Sequence, residues 1–236
     1  AGGWAGSNPI SNRACVQARK GIWSIFLTPN VPVPHRWFPP VTRGLKVLGL
    51  ASGGGQQVPV LTALGFDCTV LDLSRRQLES EAAVAEREGY DIRIVAGDMT
   101  EPLPFAAGEF DLIVNPVSNC YIKDLAPLWA ECRRVLKPKG LLMVGFDSGL
   151  NYAVSADEKH LVHSLPFDPL SQPALLAELK EGDNGIQFSH TMAEEIGGQL
   201  KAGFALVDIY EDTNASGHLR NLSIPTFVAT LAQRKD

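Results

Sequence analysis

From residue 45 onward, short apolar runs rich in Val, Ile and Leu alternate with amphipathic stretches. Continuous runs, in place of a period-two pattern, predict strands buried on both faces. They fall at 45–50, 68–72, 92–95, 110–114, 141–146, 204–210 and 226–232. Strands alternating with helical stretches predict a mostly parallel sheet covered by helices on both sides. Between the second and third runs, Ser74-Arg75-Arg76-Gln77 has the form of a capping box, Leu78, Ala82 and Ala85 follow at helical spacing, and Gly89 supplies the stop. A second helix is predicted over 125–137, with Leu128, Cys132, Val135 and Leu136 on one face and Pro138 and Gly140 behind it.

Two segments break this rhythm. Residues 1–44 are expected to form an N-terminal arm: one or two helical turns within 13–27, then a stretch in which Pro29, Pro32, Pro34, Pro39 and Pro40 forbid a regular element. Residues 151–190 contain two Pro-bounded segments, 160–165 and 173–180, and are too long for an ordinary connection. A lid-like insertion before the sixth strand is expected there. The chain thus reads as one domain: arm 1–44, core 45–150, insertion 151–190, and a helix with the last two strands over 191–236.

Composition changes this picture little. The 236 residues are 45% hydrophobic and 20% charged, ordinary globular usage that excludes disorder, collagen and coiled coil. No stretch approaches the roughly 18 apolar residues of a membrane span, and no basic segment leads into a long apolar run, so a soluble cytoplasmic protein is expected. Cys15, Cys68, Cys120 and Cys132 are widely spaced, with no Cys-x-x-Cys pair and no His at zinc-ligand spacing. They read as reduced thiols, and no metal site is expected. Charge is less even. Residues 1–66 carry six basic side chains (Arg13, Arg19, Lys20, Arg36, Arg43, Lys46) and no acidic one, against a net −11 in the remainder. Such a segment either clamps onto its own acidic body or draws in an anionic substrate. A pI near 5.6 argues against a general nucleic-acid binder.

The chemistry concentrates in Val47-Leu48-Gly49-Leu50-Ala51-Ser52-Gly53-Gly54-Gly55-Gln56-Gln57, a buried strand running into a glycine-rich turn and a helix. Glycines there let backbone approach a ligand, and the helix N-terminus offers unpaired N–H groups to negative charge. Asp72 ends the second strand, where a carboxylate can accept ribose hydroxyls, and Asp98 follows the third in Ala96-Gly97-Asp98-Met99. The dinucleotide fingerprint would align on Gly53, Gly55 and Val58, whose bulk does not suit its third position, and the P-loop Lys is absent. A ligand with adenine and ribose but no phosphate fits better.

These segments, VLGLASGGGQQ, VLDLS, AGDM, FDLIVNPVSNCY and RVLKPKGLLMVGF, together resemble the class I S-adenosylmethionine-dependent methyltransferases of the small-molecule type. The likeness is close over 44–146 and looser from 191 to the end. It implies a Rossmann-like α/β fold, a doubly wound seven-stranded sheet with the last strand antiparallel. The implied activity is in-line transfer of a methyl group from S-adenosylmethionine to a small-molecule acceptor, leaving S-adenosylhomocysteine. By this resemblance Ala51, Ser52, Gly53 and Gly55 wrap the methionine part, Asp72 and Leu73 meet the ribose, Gly97, Asp98 and Met99 the adenine, and Asn115 and Pro116 the sulfonium. The family's usual acidic residue is Gly49 here and its glycine is Ala51, so Gln56 or Gln57 would take over the ammonium contact. Asn115-Pro116-Val117-Ser118 is similar to the Asn-Pro-Pro-Tyr motif of amino methyltransferases but lacks its second proline and aromatic ring, so no nucleic-acid substrate is assigned.

Asn119, Tyr121, Trp23 and His163 are candidates to face the acceptor. If the acceptor needs a base, His160, His163, His190, Tyr121 and Asp147 are available, and none stands out as catalytic. Cys120 lacks an evident activating partner. Two rival readings stay open: a nicotinamide-dependent oxidoreductase and a non-catalytic module that binds an adenosyl ligand. The oligomeric state is open too.

Overall fold

Apolar residues at consecutive positions bury both faces of the central strands, and this dictates a sheet sandwiched between two layers. The computed structural model describes residues 9–172, 176 and 185–236. Seven strands form one sheet: β1 (Lys46–Leu50), β2 (Asp67–Asp72), β3 (Ile92–Ala96), β4 (Phe110–Pro116), β5 (Leu136–Asp147), β6 (Phe204–Asp212) and β7 (Phe227–Arg234). Their order is β3-β2-β1-β4-β5-β7-β6, with β7 antiparallel to both neighbours and the other pairs parallel. The order in which strands are added switches between β1 and β4, which run parallel, and such a switch point leaves a crevice above the carboxyl ends of the two strands.

One face is covered by α1 (Asn12–Arg19), α2 (Gln57–Ala63), α3 (Arg75–Glu88) and the arm, whose Ile25, Leu27, Val33 and Trp37 join Val47, Val70, Leu112 and Met143 in one core. On the other face α4 (Ala126–Val135) and α6 (Met192–Lys201), which follows a single turn of helix α5 (Leu150–Ala153), cover Leu48, Ile113, Leu142 and Val144. A last short helix, α7 (His218–Asn221), lies between β6 and β7.

Several predicted boundaries move. β5 begins five residues early: Phe110 pairs with Leu136, the register then shifts, and Leu112 pairs with Leu141. Lys139, at φ 64°, sits in that bulge with Pro138, so the proline costs no ladder bond. Helix α4 therefore stops at Val135. In α3 the buried face is Leu78, Glu81, Val84 and Ala85, and Ala82 is exposed. Its capping box is half formed. Ser74 Oγ accepts from Gln77 N at 3.4 Å, but Ser74 N donates to Asp72 Oδ1 at 2.8 Å, so no reciprocal bond from Gln77 is needed. The complete box is at α6, where Thr191 and Glu194 cap each other.

The arm is clamped along its length. Arg19 pairs with Glu88 at 3.2 Å, and Arg36 with Asp208 at 2.7 Å. Asp208 also accepts from Trp37 Nε1, and Asp212 from the backbone N–H groups of Asn30 and Val31. A Cβ on Gly145 of β5 would lie 2.1 Å from the Leu27 carbonyl oxygen, so only glycine lets the arm cross the sheet there. In the insertion, Val154 bridges Leu161, and Glu158 accepts from Leu219 N and Asn214 Nδ2, tying this segment to the β6–β7 connection. The predicted segment 173–180 lies outside the described residues, apart from Leu176.

Candidate functional site

The β1–α2 turn owes its shape to positive φ at Ala51 (46°), Gly54 (101°) and Gly55 (70°), conformations that glycine adopts without cost. Its N–H groups turn inward. Ala51 N donates to Leu71 O, Gly53 N to Asp72 Oδ2, Gly54 N to Gln77 O and Gly55 N to Glu81 Oε2, at 2.7–2.9 Å. A Cβ on Gly53 would meet Gln77 Cβ at 2.8 Å, and one on Gly55 would meet Val84 Cγ2 at 2.7 Å. The glycines thus serve the turn's own seat on α3, and these four N–H groups are not open to an anion. Gly49 is explained in the same terms. A side chain there would lie 2.4 Å from Val58 Cγ2, so Val58 fills the space a carboxylate would take.

Around this turn the strand ends bring polar groups together. Asp72 accepts Ser74 N on Oδ1 and Gly53 N on Oδ2, which leaves each oxygen a further lone pair. Leu73 beside it is exposed. Past β3, Gly97 leads to Asp98, whose Oδ1 accepts both Thr100 N and Thr100 Oγ1 at 2.8 Å. Met99 does not stay at the edge with them: it is buried in the core with Leu103 and Phe105. Asn115, in β4, is fully buried. Its Nδ2 donates to Leu50 O at 3.0 Å and Ser118 Oγ at 2.8 Å, joining the end of β1 to the turn after β4, and its Oδ1 has no partner. Pro116 closes that strand. In the turn, Ser52 Oγ lies 3.5 Å from Oε1 of Gln57, the first residue of α2; Gln57 Nε2 donates to Phe26 O of the arm, and Gln56 precedes the helix as its cap.

The turn after β4 meets the insertion. Asn119 Nδ2 donates to Glu195 Oε2 of α6 at 2.8 Å, and the Asn119 carbonyl lies 3.2 Å from His190 Nε2, which fixes that nitrogen as the donor. Burial pushes Glu195 up to about 8. The half-exposed Tyr121 stands beside Gly185, and burial raises its hydroxyl. Tyr152 donates to Gln187 Oε1 at 2.9 Å and stacks on Phe167. Asp147, at the end of β5, accepts Gly149 N and Asn151 Nδ2, and burial lifts it to about 6. The Cys120 thiol is pushed up to about 12 by burial, which leaves it unreactive at neutral pH.

Trp23 stacks on His35 at 4.0 Å and packs edge-on to Phe38, within the arm. His163 lies edge-on to Phe167, and His160 is exposed. Glu81 and Glu195 escaped the reading of the sequence. Glu81 had a visible signal, a carboxylate three residues after Leu78 and three before Val84 on an apolar stripe.

Residues 48–144 match a protein family described as a methyltransferase domain. An uncharacterized methyltransferase of Bacillus subtilis (strain 168), YbaJ, is 40% identical over 228 residues, covering 94% of this chain and 88% of that protein. The chain belongs to the class I S-adenosylmethionine-dependent methyltransferases. A ubiquinone biosynthesis O-methyltransferase of Caulobacter vibrioides is 29% identical over 102 residues, which is 43% of this chain and 40% of that relative. Among solved structures, an S-adenosylmethionine dependent methyltransferase from Mesorhizobium loti shares the fold, with a TM-score of 0.66 at 20% identity over 84% of this chain and 94% of that one. As a methyltransferase of this class, the protein transfers a methyl group from S-adenosylmethionine.

Proposed function

We propose that the donor sits on the β1–α2 turn, between Asp72, Asp98 and Asn115, and that a small molecule takes the methyl group beneath the insertion. The observation that carries this reading is the convergence of those three polar side chains on adjacent strand ends beside the turn, one of them with a buried, unpartnered oxygen. The residues present fit the group. Asp72 retains lone pairs for two ribose hydroxyls, Asp98 Oδ2 is uncommitted in its turn and suits the adenine amino group, and the Asn115 oxygen presents a partial negative charge toward a cationic centre. Asn115 is held there by two strand-end contacts, so the charge costs no reorganisation.

The bound donor supplies a methyl group on a sulfonium, a leaving group that departs without being protonated. The chain's own part is then to align the acceptor and keep water out, as proximity and desolvation demand. Tyr121, Asn119 and Tyr152, at the junction with the insertion, form the acceptor side. For a hydroxyl or amine acceptor, Asp147 at about 6 is ionised at neutral pH and poised to take the proton. A small acceptor in the cytoplasm, rather than nucleic acid, agrees with the acidic overall charge and with the ubiquinone-biosynthesis relative.

Calorimetric titration with S-adenosylmethionine, S-adenosylhomocysteine and NADH in parallel tests the reading. Micromolar binding of the first two and none of NADH is expected. Binding of NADH alone would overturn it.

A further inference from the structure

Glu81 is a carboxylate the transfer reaction does not call for, in a place that is costly for one. It is fully buried within the apolar stripe of α3, between Leu78 and Val84. Its Oε2 accepts Gly55 N at 2.7 Å, and its Oε1 has no partner. Among the described residues no basic side chain pairs with it, and the titratable groups that face it are Asp72 and the Cys68 thiol, both on β2. A buried charge with one hydrogen bond and no counter-ion costs several kcal/mol unless something offsets it. The segment it touches has no slack, because Gly55 lies against Val84 and the Ser80 carbonyl, and Gly49 has no space for a carboxylate of its own.

We propose that Glu81 is a positioning residue for the methyl donor: it holds the β1–α2 turn from beneath and supplies the negative charge that a cationic donor meets there, so that donor binding releases a proton. This rests on the donor site proposed above. Burial raises Glu81 to about 7, so the carboxyl is shared between both forms near neutrality. A cation bound on the turn favours the ionised form and lowers this value, and a ligand that expels a proton binds more tightly as pH rises. The net effect is a donor site whose affinity increases across the neutral range. S-adenosylhomocysteine, with a neutral thioether in place of the sulfonium, is the weaker trigger.

The test is calorimetric titration of the full chain with S-adenosylmethionine at pH 5.5, 6.5 and 7.5, each in two buffers of different ionisation enthalpy, for wild type and E81Q. Glutamine keeps an acceptor for Gly55 N and removes the charge. The ligand's own amino group titrates at about 8 and is common to both proteins, so their difference reports Glu81. Wild type should gain up to about tenfold in affinity from pH 5.5 to 7.5, the equivalent of a one-unit shift, with proton release. E81Q should show a flatter profile, and S-adenosylhomocysteine a shallower one in wild type. Equal slopes in wild type and E81Q, with donor still bound, would overturn the role of Glu81 alone. Failure of wild type to bind the donor at any pH would overturn the donor site as well. Should E81Q not fold, wild type decides: binding without proton release at pH 6.5 contradicts the proposal.

Discussion

Asp72, Glu195 and Asp147 behave differently because their surroundings differ. Asp72 accepts two backbone N–H bonds and keeps capacity for ligand hydroxyls. Its replacement by Ala should weaken S-adenosylmethionine binding by on the order of 2 kcal/mol, as for loss of hydrogen bonds to a charged acceptor. Unchanged affinity on titration would remove Asp72 from the site. Glu195 and Asp147 are instead raised by burial, to about 8 and about 6, from 4.5 and 3.8. A carboxyl raised in the folded state stabilises it fully below its unfolded value, and that contribution is lost as pH rises through the folded value. These two groups should therefore cost the protein stability as pH rises from about 4 to 8. E195Q keeps an acceptor for Asn119 Nδ2 without titrating, so urea unfolding at pH 5, 6.5 and 8 should give it a shallower decline than wild type. Parallel declines would assign the pH dependence to other groups.

The elements owe their positions to contacts that local pattern conveys unevenly. Strands β1, β2 and β4 were legible because nearly every position in their runs is buried, and α3 because Ser74 and Gly89 mark its ends; β3, expected to be buried on both faces, is an edge strand interrupted by the exposed Arg93. The early start of β5 was not legible, since Lys137-Pro138-Lys139-Gly140 has the composition of a turn and enters the sheet only through a bulge against β4. The arm illustrates the same limit. Its prolines exclude helix, yet its course is fixed by the distant partners Asp208 and Asp212 and by the absence of a side chain at Gly145. G145A should push the Leu27 backbone off β5 and cost about 1–3 kcal/mol, typical of overpacking a filled core, with earlier proteolysis in the arm. A variant as stable and as protease-resistant as wild type would show that the arm is not seated as described.

At the scale of the molecule, strand order concentrates function at one edge. Placing β1 between β2 and β4 sets the strand ends that carry Asp72, Asp98 and Asn115 along one edge of the sheet, and in the site proposed above the connections after β4 and β5, with Asn119, Tyr121, Asp147 and Tyr152, form the acceptor side. The glycine turn and the two aspartates were legible as motifs. Spacing alone could not reveal that the turn's N–H groups face inward, that Met99 joins the core, or that Trp23 stacks within the arm, because each depends on what packs against it. The most direct test of the account is a crystal structure with S-adenosylhomocysteine bound. It should place the ribose hydroxyls on Asp72, the adenine beside Asp98 and the thioether sulfur beside Asn115. Ligand density elsewhere on the molecule, with these three side chains untouched, would contradict it.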